Sequence, residues 1–283
     1  MKVEFTMTKP KTCGIAGCRL PAIHASLHCW EHITDIDQYR QQIEKDVLDG
    51  VDFTGAIFIG ADLRGLNLSG IKAVGADFTG ADLYKVSFAG GSLAGANFNR
   101  SRMNYTSFDI ADLRGSCLNN SIGKMPSFIG ANMEKCQARY SVITDANLSE
   151  AGMNLSDWQG ATMSFCDLTH VKANRIHAPW TNLMGSILKH GEFEFAVLGG
   201  SMLDGVQASG ADFKRSNLLG VSARAATFRD CNFYYARMTA GIFIGADFAG
   251  ADLSRAVLRT ASFYDAVMDG VKMENAVLDR AKF

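Results

Sequence analysis

Large apolar residues recur at every fifth position along most of this chain. In the stretch "GADFTGADLYKVSF", residues 75–88, they are Phe78, Leu83 and Phe88. An interval of five matches neither the roughly 3.6 of a helix nor the roughly 2 of a strand. Counted from Phe53, the phase runs without insertion or loss to Phe283, through 47 pentads. Forty of the 47 centres are Leu, Phe, Met, Ile or Trp; Ala73, Gly123, Ala138, Ala173, Ala178, Ala208 and Ala223 are not. Two residues before the centre the side chain is small in 43 of the 47 pentads, with Leu66, Ile71, Pro126 and Ile176 departing. Two inward positions and three polar ones, repeated in strict phase, are the mark of a solenoid whose units bury their faces against one another.

The pentads "ADFTG", "ADLYK", "ANFNR", "ANLSE" and "ADLSR" give the pattern A-(D/N)-(L/F)-x-x, and with it the chain resembles the pentapeptide-repeat proteins over residues 51–283. That resemblance implies an all-β solenoid: a right-handed quadrilateral β-helix with one pentad per side and roughly 20 residues per coil. The repeat region then makes nearly 12 coils and, at roughly 4.8 Å per coil, a rod of roughly 55 Å. A period of 20 places Trp158 between Ala138 and Ala178, the volume compensation that a close-packed interior requires. It also stacks Phe58, Phe78 and Phe98 on one side and Phe88, Phe108 and Phe128 on another, as core. "GKMPS", residues 123–127, combines the weakest centre with an inward Pro. It predicts a distortion or bulge within 119–128 that could serve recognition.

The first fifty residues follow other rules. Within "CGIAGCRLPAIHASLHCWEHI", residues 13–33, Cys13 and Cys18 make a C-x4-C pair and Cys29 and His32 a C-x2-H pair. Two close pairs of N or S donors are what tetrahedral zinc takes, and the stretch is similar to short zinc knuckles. His24 and His28 are alternative nitrogen ligands to His32. Residues 34–48 read as a helix with Thr34 as N-cap, Asp37 in the capping-box position, and Ile36, Tyr39, Ile43 and Val47 on one face. The expected organisation is a zinc-knuckle-like segment 1–33, a capping helix 34–50 and the β-helix 51–283, the first two covering the open end of the third.

Composition narrows the function. The formal net charge is −1, which supports neither strong nucleic-acid binding nor an acidic mimic. "MKVEFTMTKPKT" has no apolar leader core, and no run approaches the roughly 18 apolar residues of a membrane span. Cys136, Cys166 and Cys231 fall at small inward positions and Cys117 at an outward one, as filler in a reducing cytoplasm. His170, His177 and His190 lie within one coil's length, but His177 and His190 fall on different predicted sides, which argues against a second metal site. No nucleophile–base pair or phosphate loop is evident, so no enzyme is expected.

What remains is recognition. A rigid rod presenting a flat surface to a protein partner is the leading reading, with structural zinc and a cytoplasmic location in a bacterial cell. Some relatives protect bacterial type II topoisomerases through an acidic rod that resembles DNA, so the resemblance also implies a gyrase modulator or toxin-immunity factor as the alternative. Charge sorting weighs on that alternative. Residues 51–283 carry 22 acidic and 22 basic side chains, and three sides come out at +1, +2 and +1. The side centred on Leu68, Phe88 and their equivalents comes out at −4, from Asp109, Glu150, Asp167, Asp230, Asp247 and Asp269 against Lys189 and Arg229. DNA of equal length carries about 30 charges, so the copy is partial. Direct nucleic-acid binding by the knuckle would rest on Lys9, Lys11 and Arg19 alone, a thin patch. Met273, Leu278 and Phe283 in the final coil are candidates for a homodimer contact, a two-fold meeting of like ends.

Overall fold

A computed structural model describes residues 12–283. Lys9, Lys11 and the leader stretch lie outside the described residues. From Asp52↔Lys72 to Ser262↔Lys282, bridges between residues 20 apart join each turn of the chain to the next, all of them parallel. Four pentads therefore close one coil, and the body is a four-sided β-helix.

The repeat is explained by its backbone hydrogen bonds, and one pentad shows the scheme. The Phe78 N–H donates to the Asn97 carbonyl at 2.7 Å in the following coil, and Gly80 N–H to Asn99 at 2.9 Å. Asp77 N–H reaches back to the Ala56 carbonyl at 2.8 Å, and Ala81 N–H closes a turn on Phe78 at 3.0 Å. The fifth donor, Thr79 N–H, is taken by Asp77 Oδ1 at 2.9 Å. The Asp or Asn before each centre is thus an Asx-turn acceptor. It keeps the corner from leaving an orphan donor, which would be costly. Where that position lacks Asp or Asn, the neighbouring coil substitutes: Asn99 Oδ1 takes Asn119 N–H and Asn119 Oδ1 takes Arg139 N–H, both at 2.8 Å.

Every fifth residue from Gly50 to Arg280 has positive φ, which makes the corner. Glycine adopts that conformation at no steric cost. Several glycines do more, and two show how. A Cβ on Gly185 would lie 2.6 Å from the Phe165 ring, and one on Gly200 2.6 Å from the Trp180 ring. Each aromatic lies flat over the corner of the next coil, so part of the exposed aromatic surface is structural.

Inside, Phe58, Phe78 and Phe98 stack with centroids 4.9 and 4.8 Å apart, and Phe88, Phe108 and Phe128 at 5.2 and 5.0 Å. The ring spacing is the coil spacing. Trp158, Ala138 and Ala178 are all buried. The indole N–H donates to Ser156 Oγ at 3.0 Å, and that hydroxyl donates to the Met153 carbonyl at 2.6 Å. Cys136, Cys166 and Cys231 are buried too, and burial pushes their thiols up to about 12, which makes them inert.

No bulge forms at 119–128. Strands β1 (Ile122–Lys124) and β2 (Val142–Thr144) pair in parallel with Ile122 opposite Val142, so the 20-residue register is unbroken. Pro126 has no N–H with which to close the turn, and the chain runs extended through Ile122–Lys124 instead. Gly123 is small because a Cβ there would come 2.7 Å from Met103 Cγ and 3.3 Å from the Pro126 ring. Proline and glycine have exchanged bulk within one pentad.

The helix α1 spans Ile36–Leu48. Its N-cap is Asp35, whose side chain accepts Gln38 N–H at 2.9 Å, and not Thr34. An Asp three residues before a free N–H makes the same bond as a Thr would and adds charge at the positive helix end. Tyr39 and Ile43 are buried, while Ile36 is 41% exposed and leaves the expected apolar face.

A candidate metal centre and the four faces

The N-terminal segment is laid directly on the first coil. His24 N–H donates to the Ile57 carbonyl at 2.8 Å, and Glu44 Oε1 accepts Asn67 N–H at 2.9 Å. The Arg40 guanidinium donates to the Arg64 carbonyl. These are ladder groups that a preceding coil would otherwise satisfy. Ile23, Tyr39 and Ile43 join the same apolar core as Phe53 and Phe58, and the His24 ring stands 4.7 Å from Phe53. Burial there lowers the His24 pKa, with Asp46 opposing the shift.

One group of metal-capable side chains occurs among the described residues: Cys13, Cys18, Cys29 and His32, whose ligand atoms all lie within 4.8 Å of one another. A turn at Trp30–His32 brings the second pair together. Cys18 Sγ is 3.8 Å from Cys29 Sγ, and His32 Nδ1 is 3.3 Å from Cys13 Sγ and 3.2 Å from Cys29 Sγ. A tetrahedral zinc with Zn–S of about 2.3 Å and Zn–N of about 2.0 Å sets its donors roughly 3.8 Å (S to S) and roughly 3.5 Å (S to N) apart. The donor set fits. Burial pushes the Cys13 thiol up, but backbone N–H groups of Cys29 and Ile15 and the His32 side chain outweigh it and bring it to about 6. Burial, with Cys18 and Cys13 beside it, pushes Cys29 up to about 11, against a backbone N–H from Glu31. Donors aimed at the sulfurs are the outer-shell arrangement that supports thiolate ligands. His24 and His28 stand outside the group.

Of the rod's histidines, His177 stands apart from His190 as expected. His170 and His190 stack with centroids 5.2 Å apart, while His177 pairs with Asp157 and Val197 on another side.

On the acidic side, half of the charge is already engaged. Asp109 accepts the Ser127 hydroxyl and the Ile129 N–H. Asp167 accepts Thr169 N–H, and Asp247 accepts Ala249 N–H while pairing with Arg229 at 2.7 Å. Glu150, Asp230 and Asp269 accept no hydrogen bond among the described residues. Charge alone does not reveal a feature of the side centred on Leu83, Met103 and Gly123. There several outward positions on successive coils carry large apolar or aromatic side chains among polar ones, and sorting the same positions by hydropathy brings it out.

The ladder and the pentads define a four-sided β-helix of stacked five-residue units. The family described as "Pentapeptide repeats" matches in 8 copies over residues 47–83, 61–100, 81–120, 192–230, 209–240 and 242–280. The chain belongs to the pentapeptide-repeat family. No curated protein matches it. Among solved structures it is similar to HetL, a pentapeptide repeat protein involved in heterocyst differentiation regulation from the cyanobacterium Nostoc sp. strain PCC 7120. The identity is 20%, covering 86% of this chain and 93% of that one, with a TM-score of 0.38. It is also similar to QnrB1, a plasmid-mediated fluoroquinolone resistance protein, at 11% identity over 62% of this chain and 90% of that one, with a TM-score of 0.29. No helix among the described residues is long and apolar enough to cross a membrane.

Proposed function

We propose that this protein is a non-catalytic scaffold: a rod of nearly twelve coils (51–283) that presents a rigid face to a protein partner, capped at its first coil by a zinc knuckle (1–33) and helix (34–50). The observation that carries the reading is the hydrogen-bond scheme of the pentad. It commits the recurrent Asp and Asn side chains to the corners, leaving, among the described residues, no group of titratable side chains arranged for chemistry outside the Cys–His cluster. Zinc held by Cys13, Cys18, Cys29 and His32 is structural in this reading, because four protein donors leave no open position. The cytoplasm of a bacterial cell is the proposed location, in keeping with the unpaired cysteines.

The alternative is a modulator of a type II topoisomerase, with Asp109, Glu150, Asp167, Asp230, Asp247 and Asp269 as the contact. The carboxylates of Glu150, Asp230 and Asp269, which accept no hydrogen bond among the described residues, favour it. The engagement of Asp109, Asp167 and Asp247 weighs against it. A gyrase supercoiling assay with and without quinolone separates the two. The scaffold reading expects no change up to micromolar protein, and protection or inhibition would establish the alternative.

Assembly is the second proposal. In the final coil Leu278 is 40% and Phe283 54% exposed, and Met273 is partly buried. Two copies meeting through these three residues would bury them together. Light scattering at micromolar concentration should then give about twice the chain mass of 30.6 kDa, falling to one chain in Leu278→Glu/Phe283→Glu. A single-chain mass for the parent contradicts it.

A further inference from the structure

On the side centred on Leu83, Met103 and Gly123, six large side chains face outward on successive coils: Tyr84, Tyr105, Ile122, Met125, Val142 and Phe165. Ile122 is 54% and Val142 41% exposed, and the two are direct ladder partners. Tyr84 and Tyr105 meet edge to face at 5.8 Å. On the other three sides, these coils carry mostly Asp, Asn, Arg, Glu and Ser at the same positions. Phe165 has a structural task over Gly185, but no glycine lies under Tyr105, Ile122, Met125 or Val142. The only two segments that run as regular strands among the described residues, β1 and β2, lie in the middle of this patch. Ile122 and Val142 sit on this extended run.

The rim is cationic. Lys85 lies over the Tyr84 ring at 5.2 Å. Lys85, Arg102 and Lys124 have no carboxylate partner within ion-pair distance among the described residues. Two acids share the face: Asp82, the ladder partner of Arg102, accepts the Tyr84 N–H, and Asp145 sits in the corner column between Met125 and Phe165. From the coil of Tyr84 to that of Phe165 is four steps, roughly 19 Å at roughly 4.8 Å each. A helix lying along the rod advances about 5.4 Å per turn, close to one turn per coil, and covers this length with about 13 residues.

From these features we propose that the face is the docking site for an amphipathic, acidic helix of a protein partner. Its apolar residues, spaced i, i+3, i+4 and i+7, lie on the Ile122–Val142 ladder pair and the Tyr105–Met125 corner beside it, and its Asp or Glu residues meet Lys85, Arg102 and Lys124. This rests on the scaffold reading and names the face and the ligand class.

The test uses the full-length protein and a displayed library of helices with about 13 randomised surface positions. Selected helices should carry an apolar stripe flanked by acids. They should bind Ile122→Glu/Val142→Glu at least tenfold more weakly than the parent, and Arg102→Glu/Lys124→Glu likewise. Tyr105→Ser/Met125→Ser, which introduces no charge, repeats the test should the Glu pair disturb the ladder; circular dichroism reports on folding in each case. Selected helices unaffected by all three variants would place binding on another face, overturning this inference and leaving the scaffold reading intact. Three other outcomes overturn it as well: no selected helix at all, flotation with anionic vesicles that the variants abolish, or a dimer that Ile122→Glu/Val142→Glu dissolves.

Discussion

Trp158→Ala should lower the unfolding free energy by about 3–5 kcal/mol, the range for removing a large buried aromatic. The site cannot collapse to relieve the loss. Its neighbours along the column are Ala138 and Ala178, both buried, so no long side chain stands above or below to fill the void. The coils cannot close up either, because the Trp158 N–H bond to His177 at 2.7 Å and the Ala138 N–H bond to Asp157 at 2.7 Å hold the coil spacing. Ser156 keeps its bond to the Met153 carbonyl after the indole is gone, so the cost is packing and not an orphaned hydroxyl. Urea denaturation measures it. A variant with the parent's midpoint would mean that Trp158 is not in the column.

The second large effect concerns the metal. Protein purified without added metal should contain close to one zinc per chain. Cys29→Ala should remove it, since three donors cannot close a structural site. In segment 12–33 only Cys13, Ala22, Ile23 and Cys29 are buried, which is too little apolar surface to order it alone. Without the ion, hydrogen exchange should lose protection at the His24 amide, whose bond to Ile57 ties the segment to the first coil. The Phe98 amide, deep in the ladder and bonded to Cys117, should keep its protection. Absence of zinc, or unchanged exchange at His24 in Cys29→Ala, contradicts this account.

Most of the fold was legible because the pentad is a local rule repeated in phase. The inward Phe and Leu centres follow from spacing, while the coil length is what the resemblance carried by pentads such as "ADFTG" implies, with Ala138–Trp158–Ala178 as a separate sign of it. The role of the Asp and Asn residues was not legible. Their outward polar positions do not show that they are corner acceptors, since which N–H lacks a partner is known only once the ladder is drawn. Of the distortion or bulge expected at 119–128, the structure has a local distortion without a bulge, for a related reason: Pro126 and Gly123 each look disruptive alone, and only their contact shows that they compensate. The helix start moved from Thr34 to Asp35 because adjacent polar residues offer equivalent caps. At the metal centre the spacing pointed to His32 as the nitrogen donor, with His24 and His28 as alternatives. The chain path brings only His32 to the three sulfurs, because His24 is spent on Phe53 and Ile57. The apolar face was written in the sequence but invisible until residues 20 apart were placed side by side.

The central claim, that the rod works by holding a protein partner against one face, is tested most directly by site-specific photo-cross-linking in the source cell. A photoreactive residue is placed in turn on each of the four sides: at Asn154, Asn119, Ile122 and Ser149, all at outward positions. The account predicts cross-links to a defined protein partner from one side, with Ile122 the reactive position, and background from the others. Equal background at all four positions, or cross-links to nucleic acid, would contradict it.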